Sequence, residues 1–181
     1  IRRLNLEDEN GDSVFLWGAR QTGKTTWLVS QFPNCRYYDL LRPAEFERLL
    51  RHPELLSEEL EDFGPEDTVV IDEIQKLPQL LDEVHYLIQR KGIRFILSGS
   101  SARKLKRLGT NLLGGRAAKE QMYPLVSGEI PDFDLDRAIN NGMIPRHYMV
   151  QNAHQRLRGY IGGYLNEEIK QEALTRNLNT F

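Results

Sequence analysis

The sequence predicts an α/β fold, a parallel sheet covered by helices on both faces and followed by a small, mainly helical segment. Three observations predict it. Short apolar runs alternate with amphipathic stretches along the first two-thirds of the chain, the pattern of consecutive strand–helix–strand units. The run Val14-Phe15-Leu16-Trp17 leads directly into Gly18-Ala19-Arg20-Gln21-Thr22-Gly23-Lys24-Thr25, which fits G-x-x-x-x-G-K-[ST]. A second run, Thr68-Val69-Val70-Ile71, is rich in β-branched residues, as suits a strand buried on both faces, and ends in Asp72-Glu73.

Taken in order, Val14 to Trp17 is the first strand. A helix starts near Lys24, carries Trp27, Leu28 and Val29, and stops before Pro33. Arg36 to Leu40 reads as a short second strand. Pro43 opens a helix whose apolar face holds Phe46, Leu49 and Leu50, and Leu55, Leu56 and Leu60 mark another. Gly64-Pro65 turns the chain into the Thr68–Ile71 strand. Leu80, Leu81, Val84, Leu87 and Ile88 recur at helical spacing between Pro78 and Arg90, and Lys91-Gly92 ends that helix. Ile93 to Leu97 is the next strand, and Gln121-Met122-Tyr123, closed by Pro124, is expected as the last one. The chain thus divides into a core over residues 1–127 and a helical segment over 128–181. Between Asn152 and Leu174 the residues Leu157, Tyr160, Ile161, Tyr164, Leu165 and Ile169 form one apolar stripe, expected to pack as core.

Composition narrows the function. A net charge of −2 gives the molecule no general bias toward nucleic acid or acidic membranes. No apolar run is long enough to span a bilayer. The one cysteine, Cys35, has no internal partner for a disulfide, which fits a reducing, cytoplasmic setting. The chain begins with Ile1 and runs to Phe181, and is expected to continue in a longer natural protein.

The motif at Gly18–Thr25 is a phosphate-binding P-loop. Its glycines let successive backbone N–H groups turn toward a polyphosphate, and the helix start adds unpaired N–H groups and the positive dipole end. Residues Gly18 through Thr26 are therefore the candidate nucleotide cradle. Lys24 reaches the β- and γ-phosphates, and the Thr25 hydroxyl ligates Mg²⁺. Asp72, at the carboxyl end of a core strand, faces the crevice where open α/β sheets bind ligands, and is the second candidate Mg²⁺ ligand. Glu73 beside it is placed to orient or deprotonate a water attacking the γ-phosphate. The alternative for this acidic pair is a helix N-cap. Ser98, in Ile96-Leu97-Ser98-Gly99-Ser100-Ser101, ends a strand expected beside the P-loop strand. It is the candidate contact to the attacking water or the γ-phosphate, with Ser100 as runner-up and turn formation as the plain alternative. No Asn-Lys-x-Asp motif for reading guanine is present, so ATP is expected over GTP.

These residues resemble a family. G-A-R-Q-T-G-K-T at Gly18–Thr25, I-D-E-I-Q-K-L at Ile71–Leu77 and F-I-L-S-G-S-S at Phe95–Ser101 are similar to a group of prokaryotic P-loop ATPases of the AAA+ superfamily. Asn111–Ala117, Tyr123-Pro124-Leu125, Gly142–Pro145 and Tyr164–Ile169 extend the likeness over nearly the whole chain in the same order. The resemblance implies an AAA+-like core and ATP hydrolysis with Mg²⁺. It also implies assembly into a homo-oligomer in which an arginine reaches a neighbour's site. Arg116, in Leu113-Gly114-Gly115-Arg116, is the candidate for that finger, with a surface ion pair as its alternative. Members of the group typically carry a second, C-terminal domain suspected of contacting nucleic acid, so DNA contact is expected mainly through a domain beyond this sequence. The chain departs from the family pattern after Pro145, where Arg146 stands in place of Glu. Arg103, Lys104, Lys106 and Arg107 form a basic run that reads either as a phosphate or nucleic-acid contact or as a solvated face.

The acidic pair favours water as nucleophile, hence hydrolysis. Two other readings share the P-loop. One is a nucleotide-gated module that switches contacts with DNA or protein and turns over rarely. The other is a small-molecule kinase, against which Asp72-Glu73 argues.

Overall fold

In the computed structural model, residues 4–6, 11–100, 105 and 113–164 are described. They divide by contact into two compact units. One comprises Leu4–Gly18 and Lys24–Met122; the other groups Ala19–Gly23 with the chain from Tyr123 onward.

The first unit is a five-stranded sheet. Its strands are β1 (Ser13–Trp17), β2 (Arg36–Asp39), β3 (Thr68–Asp72), β4 (Arg94–Gly99) and β5 (Ala117–Gln121), in the order β2-β3-β4-β1-β5. Every pairing is parallel. The helices between them are α1 (Lys24–Gln31), α2 (Pro43–Arg51), α3 (Leu55–Glu59) and α4 (Leu80–Lys91).

Strand alternation explains how both faces are covered. Phe15 and Trp17 of β1, Val69 and Ile71 of β3 and Phe95 and Leu97 of β4 join one apolar cluster with Leu49, Leu56, Leu80, Leu81, Val84 and Leu87 from α2, α3 and α4. The intervening residues Val14, Leu16, Val70 and Ile96 point the other way and pack with Trp27 and Leu28 of α1 and with Met122. The central strands are thus buried on both sides, which is why they read as continuous apolar runs. Gly92 closes α4 at φ +70°, and its N–H bonds back to Ile88 O at 3.1 Å.

The last strand corrects the sequence reading. It is Ala117–Gln121, not Gln121–Tyr123. Ala-Ala-Lys-Glu-Gln has neither strand alternation nor β-branched residues, but its backbone pairs with β1 from Ser13↔Ala117 to Trp17↔Gln121. As an edge strand with a largely exposed outer end it needs no apolar face, so pairing overrides propensity. Met122, buried, donates its N–H to Trp17 O at 2.7 Å just past the strand's end.

In the second unit, α5 (Leu135–Asn141) is capped by the Asp134 carboxylate, which accepts from Arg137 N at 3.0 Å. α6 (Pro145–Tyr148) starts on a proline, and α7 runs from His154 to Tyr164. The stripe assigned to core packing is not buried in α7: Leu157, Tyr160 and Tyr164 are partly exposed and Ile161 is exposed. Its two tyrosines make aromatic contacts, with the Tyr160 ring 5.4 Å from those of both His147 and Tyr164. Leu165, Ile169 and Leu174, like the basic run Arg103–Arg107, lie outside the described residues.

Candidate functional site: the phosphate loop and the ends of β3 and β4

The P-loop leaves β1 at Gly18 and re-enters structure at Lys24, the first residue of α1. Gly18 is demanded by its neighbours. Its N–H bonds to Gly99 O at 3.2 Å, and a Cβ there would collide with the Met122 carbonyl oxygen. Gly23 sits at φ +93°, where an L side chain is strained. Within the loop, Thr22 is fully buried and its hydroxyl donates to Ala19 O at 2.9 Å, closing a short turn. Arg20 and Gln21 are exposed. Lys24 is only 6% exposed, and its ammonium donates to Gly18 O at 2.6 Å, bringing the charge back to the loop's first residue. Trp27 and Leu28 anchor α1 to the sheet, while Thr25 and Thr26 at its start are exposed.

Asp72, the last residue of β3, is 1% exposed and accepts four hydrogen bonds. Thr25 Oγ1 donates to Oδ2 at 2.6 Å and Tyr37 Oη to the same oxygen at 2.8 Å. Ser98 Oγ and, at 3.1 Å, Glu73 N donate to Oδ1. All four donors are neutral, and among the described residues no cation pairs with this carboxylate. Four hydrogen bonds satisfy this buried carboxylate without neutralising it, and its oxygens suit a hard cation. Tyr37, on β2, was not singled out in the sequence. Burial, then the Asp72 charge and the bond to it, push its hydroxyl pKa well above the usual tyrosine value, so it remains a donor.

Glu73 stands directly beyond the strand in a left-handed backbone conformation, φ +62° and ψ +41°, before the 3₁₀ turn Ile74–Lys76. Its carboxylate accepts a hydrogen bond from Gln75 Nε2, and the same amide lies 3.3 Å from Ser100 Oγ. Gln75 is 6% exposed, and its Oε1 is buried without a hydrogen-bond partner. Ser98 and Ser100, the two candidates at the end of β4, therefore face different acids. Ser98 is fully buried and bound to Asp72, whereas Ser100 reaches the Gln75–Glu73 pair. Gly99 between them leaves room for Gln75, because a Cβ there would meet Gln75 Oε1 and the Trp17 ring.

Arg116 lies elsewhere. It immediately precedes β5, whose first residue pairs with Ser13 at the start of β1, and the P-loop leaves the other end of that strand. Four residues of strand separate those levels, about 13 Å at ~3.3 Å per residue. The Arg116 side chain is exposed and makes no ion pair among the described residues.

A parallel strand that leads through a G-x-x-x-x-G-K-[ST] segment into a helix, in a sheet where another strand ends in a buried acid, is the combination by which P-loop proteins take nucleotides. The family model described as "AAA domain" matches residues 10–130. The chain belongs to the AAA domain family. The AAA domain match spans the whole sheet, from the residues before β1 to those after β5. Among solved structures, the chain is similar to "Structure of Drosophila ORC bound to DNA", with 14% identity and a TM-score of 0.45 over 90% of this chain and 47% of that one. It is also similar to a Signal Transduction ATPase with Numerous Domains from Pyrococcus horikoshii, with 18% identity and a TM-score of 0.41 over 90% of this chain and 28% of that one. The chain thus spans less than half the length of either structure. No curated protein matches it. Among the described residues, no helix is long and apolar enough to cross a membrane.

Sequence reasoning missed two residues of this AAA domain site. Tyr37 carried a readable signal: in the alternation of β2 it points opposite to buried Tyr38, next to the strand that ends in Asp72. Gln75 carried one as well, as a polar residue between Ile74 and Leu77, both fully or almost fully buried.

Proposed function

We propose that this AAA domain binds ATP with Mg²⁺ and hydrolyses it to ADP and phosphate. The observation that carries the reading is the 2.6 Å bond from Thr25 Oγ1 to Asp72 Oδ2, which joins the P-loop helix to the end of β3. Mg²⁺ takes oxygen ligands at about 2.0–2.1 Å in an octahedron, so adjacent ligand oxygens stand about 2.9 Å apart. Thr25 and Asp72 fit that requirement with a small opening, and Asp72 supplies the uncompensated charge. Bound there, the ion would neutralise charge on the β- and γ-phosphate oxygens.

The chain's own residues do the rest. The loop amides of residues 18 to 26 and the Lys24 ammonium hold the phosphates, Lys24 exchanging the Gly18 carbonyl for a phosphate oxygen. Glu73 orients the attacking water and takes its proton. Ser98 acts through Asp72 by fixing its Oδ1, and Ser100 is the hydroxyl of this strand end that neighbours Glu73. Arg116 serves a neighbouring copy: it is exposed, makes no ion pair among the described residues, and lies at the opposite end of β1 from Gly18. A second copy of the chain is then a partner, as a homo-oligomer.

The same placement of Arg116 favours a second reading, a nucleotide-gated module that turns over slowly until it assembles. Steady-state ATPase assays across protein concentration test both. Hydrolysis requires turnover that depends on Mg²⁺ and is lost in Lys24→Ala. Glu73→Gln is expected to keep ATP binding and to lower turnover at least tenfold, within the range of about 10²–10⁴ that general bases contribute. Tight ATP binding with no turnover at any concentration selects the switch. Unchanged turnover in Glu73→Gln removes Glu73 from the mechanism.

A further inference from the structure

Gln75 occupies a costly position. Its amide is buried, its Nε2 donates to the Glu73 carboxylate and lies 3.3 Å from Ser100 Oγ, and its Oε1 has no hydrogen-bond partner among the described residues. A buried acceptor left unpaired is a penalty that an apolar side chain of the same shape would avoid. Glu73, which it holds, is itself in a left-handed conformation that a non-glycine residue adopts only under constraint from its surroundings. Two unfavourable features therefore meet at one hydrogen bond, and neither is needed to close the core. Ile74 and Leu77, on either side of Gln75, already seal the turn against the sheet. The strand end contributes too: Gly99 is the residue that lets the Gln75 amide fit between β4 and Glu73.

We infer that Gln75 is a positioning residue that fixes the Glu73 carboxylate and ties it to Ser100, so that what happens at the end of β4 is felt by the group that handles the attacking water. The inference rests on the hydrolytic reading of Glu73. It places Gln75 in contact with neither phosphate nor metal. A ligand oxygen that engages Ser100 competes for the hydroxyl bound by Gln75, and the amide then shifts its hold on Glu73. Gln75 thus couples γ-phosphate occupancy to alignment of the base.

The test is Gln75→Met, which keeps the side chain's length, removes the donor and removes the unpaired oxygen. The expected result is a Tm equal to or above that of the wild type, ATP affinity and KM within about twofold, and kcat lowered about tenfold. A purely structural glutamine gives the reverse pattern, with Tm lowered and kcat following the folded fraction. Unchanged kcat also overturns the inference. Ser100→Ala completes a double-variant cycle: a double variant no slower than the slower single one is expected, and full additivity overturns the link. Glu73→Gln, assayed alongside, separates the two levels. If it retains turnover the hydrolytic reading fails, whereas if it loses turnover and Gln75→Met does not, only the role of Gln75 falls. A readout independent of turnover completes the test. In ¹⁵N-labelled protein the Gln75 side-chain amide resonances are expected to shift in both Glu73→Gln and Ser100→Ala, and resonances unmoved in both overturn the inference.

Discussion

The carboxyl end of β3 and the amino end of β5 belong to the same sheet and are organised in opposite ways. At the first, Asp72 is enclosed by four neutral donors from β2, β4, α1 and its own following residue, and Glu73 is held by Gln75. At the second, Arg116 is exposed, makes no ion pair among the described residues, and stands at the opposite end of β1 from Gly18. On the proposed reading, the difference teaches where the positive charge for hydrolysis would come from. The acidic end gathers hydroxyl and amide donors around a buried charge that pairs with no cation among the described residues. The basic end offers a cation that pairs with no acid among the described residues. Under the proposed function, such a site would draw its positive charge from a metal, from Lys24 and from a second molecule.

Arg116→Ala gives the sharpest way to break this contrast. In the oligomer it is expected to lower turnover about 10³-fold, the lower bound for an arginine supplied in trans, with ATP affinity changed little. Mixing Arg116→Ala with Lys24→Ala restores part of the activity, because each copy contributes the half that the other lacks. Turnover unchanged by Arg116→Ala, or wild-type turnover per molecule independent of protein concentration, shows that the two ends do not cooperate between copies.

Asp72→Asn probes the other end. It keeps the shape and removes a buried charge that pairs with no cation among the described residues. Mg²⁺-dependent ATP binding is expected to weaken at least tenfold, about 1.4 kcal/mol. Thermal stability in the absence of Mg²⁺ is expected to hold or rise, since desolvation of the carboxylate is relieved. Loss of stability together with unaltered Mg²⁺-dependent binding would show that Asp72 is there for folding.

Much of this contrast was legible in the sequence, for physical reasons that differ from residue to residue. β1, β3 and β4 are buried on both faces, so burial itself writes them as apolar runs, and the P-loop spacing is imposed by backbone geometry at Gly18 and Gly23. β5 was misplaced because an edge strand held by backbone bonds to β1 leaves no apolar signature in Ala117–Gln121. The stripe in α7 read as core because spacing reports amphipathicity and not what lies against it; Ile161 is 52% exposed. Tyr37 and Gln75 were passed over because their roles are relations between elements. Asp72 needs a donor from β2 and Glu73 one from the turn after β3, and neither partner belongs to the motif that announces the acid.

Tyr37→Phe carries the smallest expected effect and separates the folding role of the Asp72 shell from its role in binding. The hydroxyl is one of two donors to Oδ2, so its loss leaves Thr25 in place, and a cost of about 1 kcal/mol in stability is expected. Because the folded-state pKa of Tyr37 lies above its unfolded value, the unfolded chain loses this proton first as pH rises. The contribution of Tyr37 is therefore fully present below about pH 10 and declines as pH climbs past the ordinary tyrosine range. Denaturant unfolding from pH 7 to 11 is expected to show the gap between wild type and Tyr37→Phe narrowing at the alkaline end, while Mg²⁺-dependent ATP affinity at pH 7 changes less than threefold. A gap that widens with pH would mean that the hydroxyl donates elsewhere. An affinity loss as large as that of Asp72→Asn would mean that the neutral shell, and not the carboxylate alone, sets the metal site.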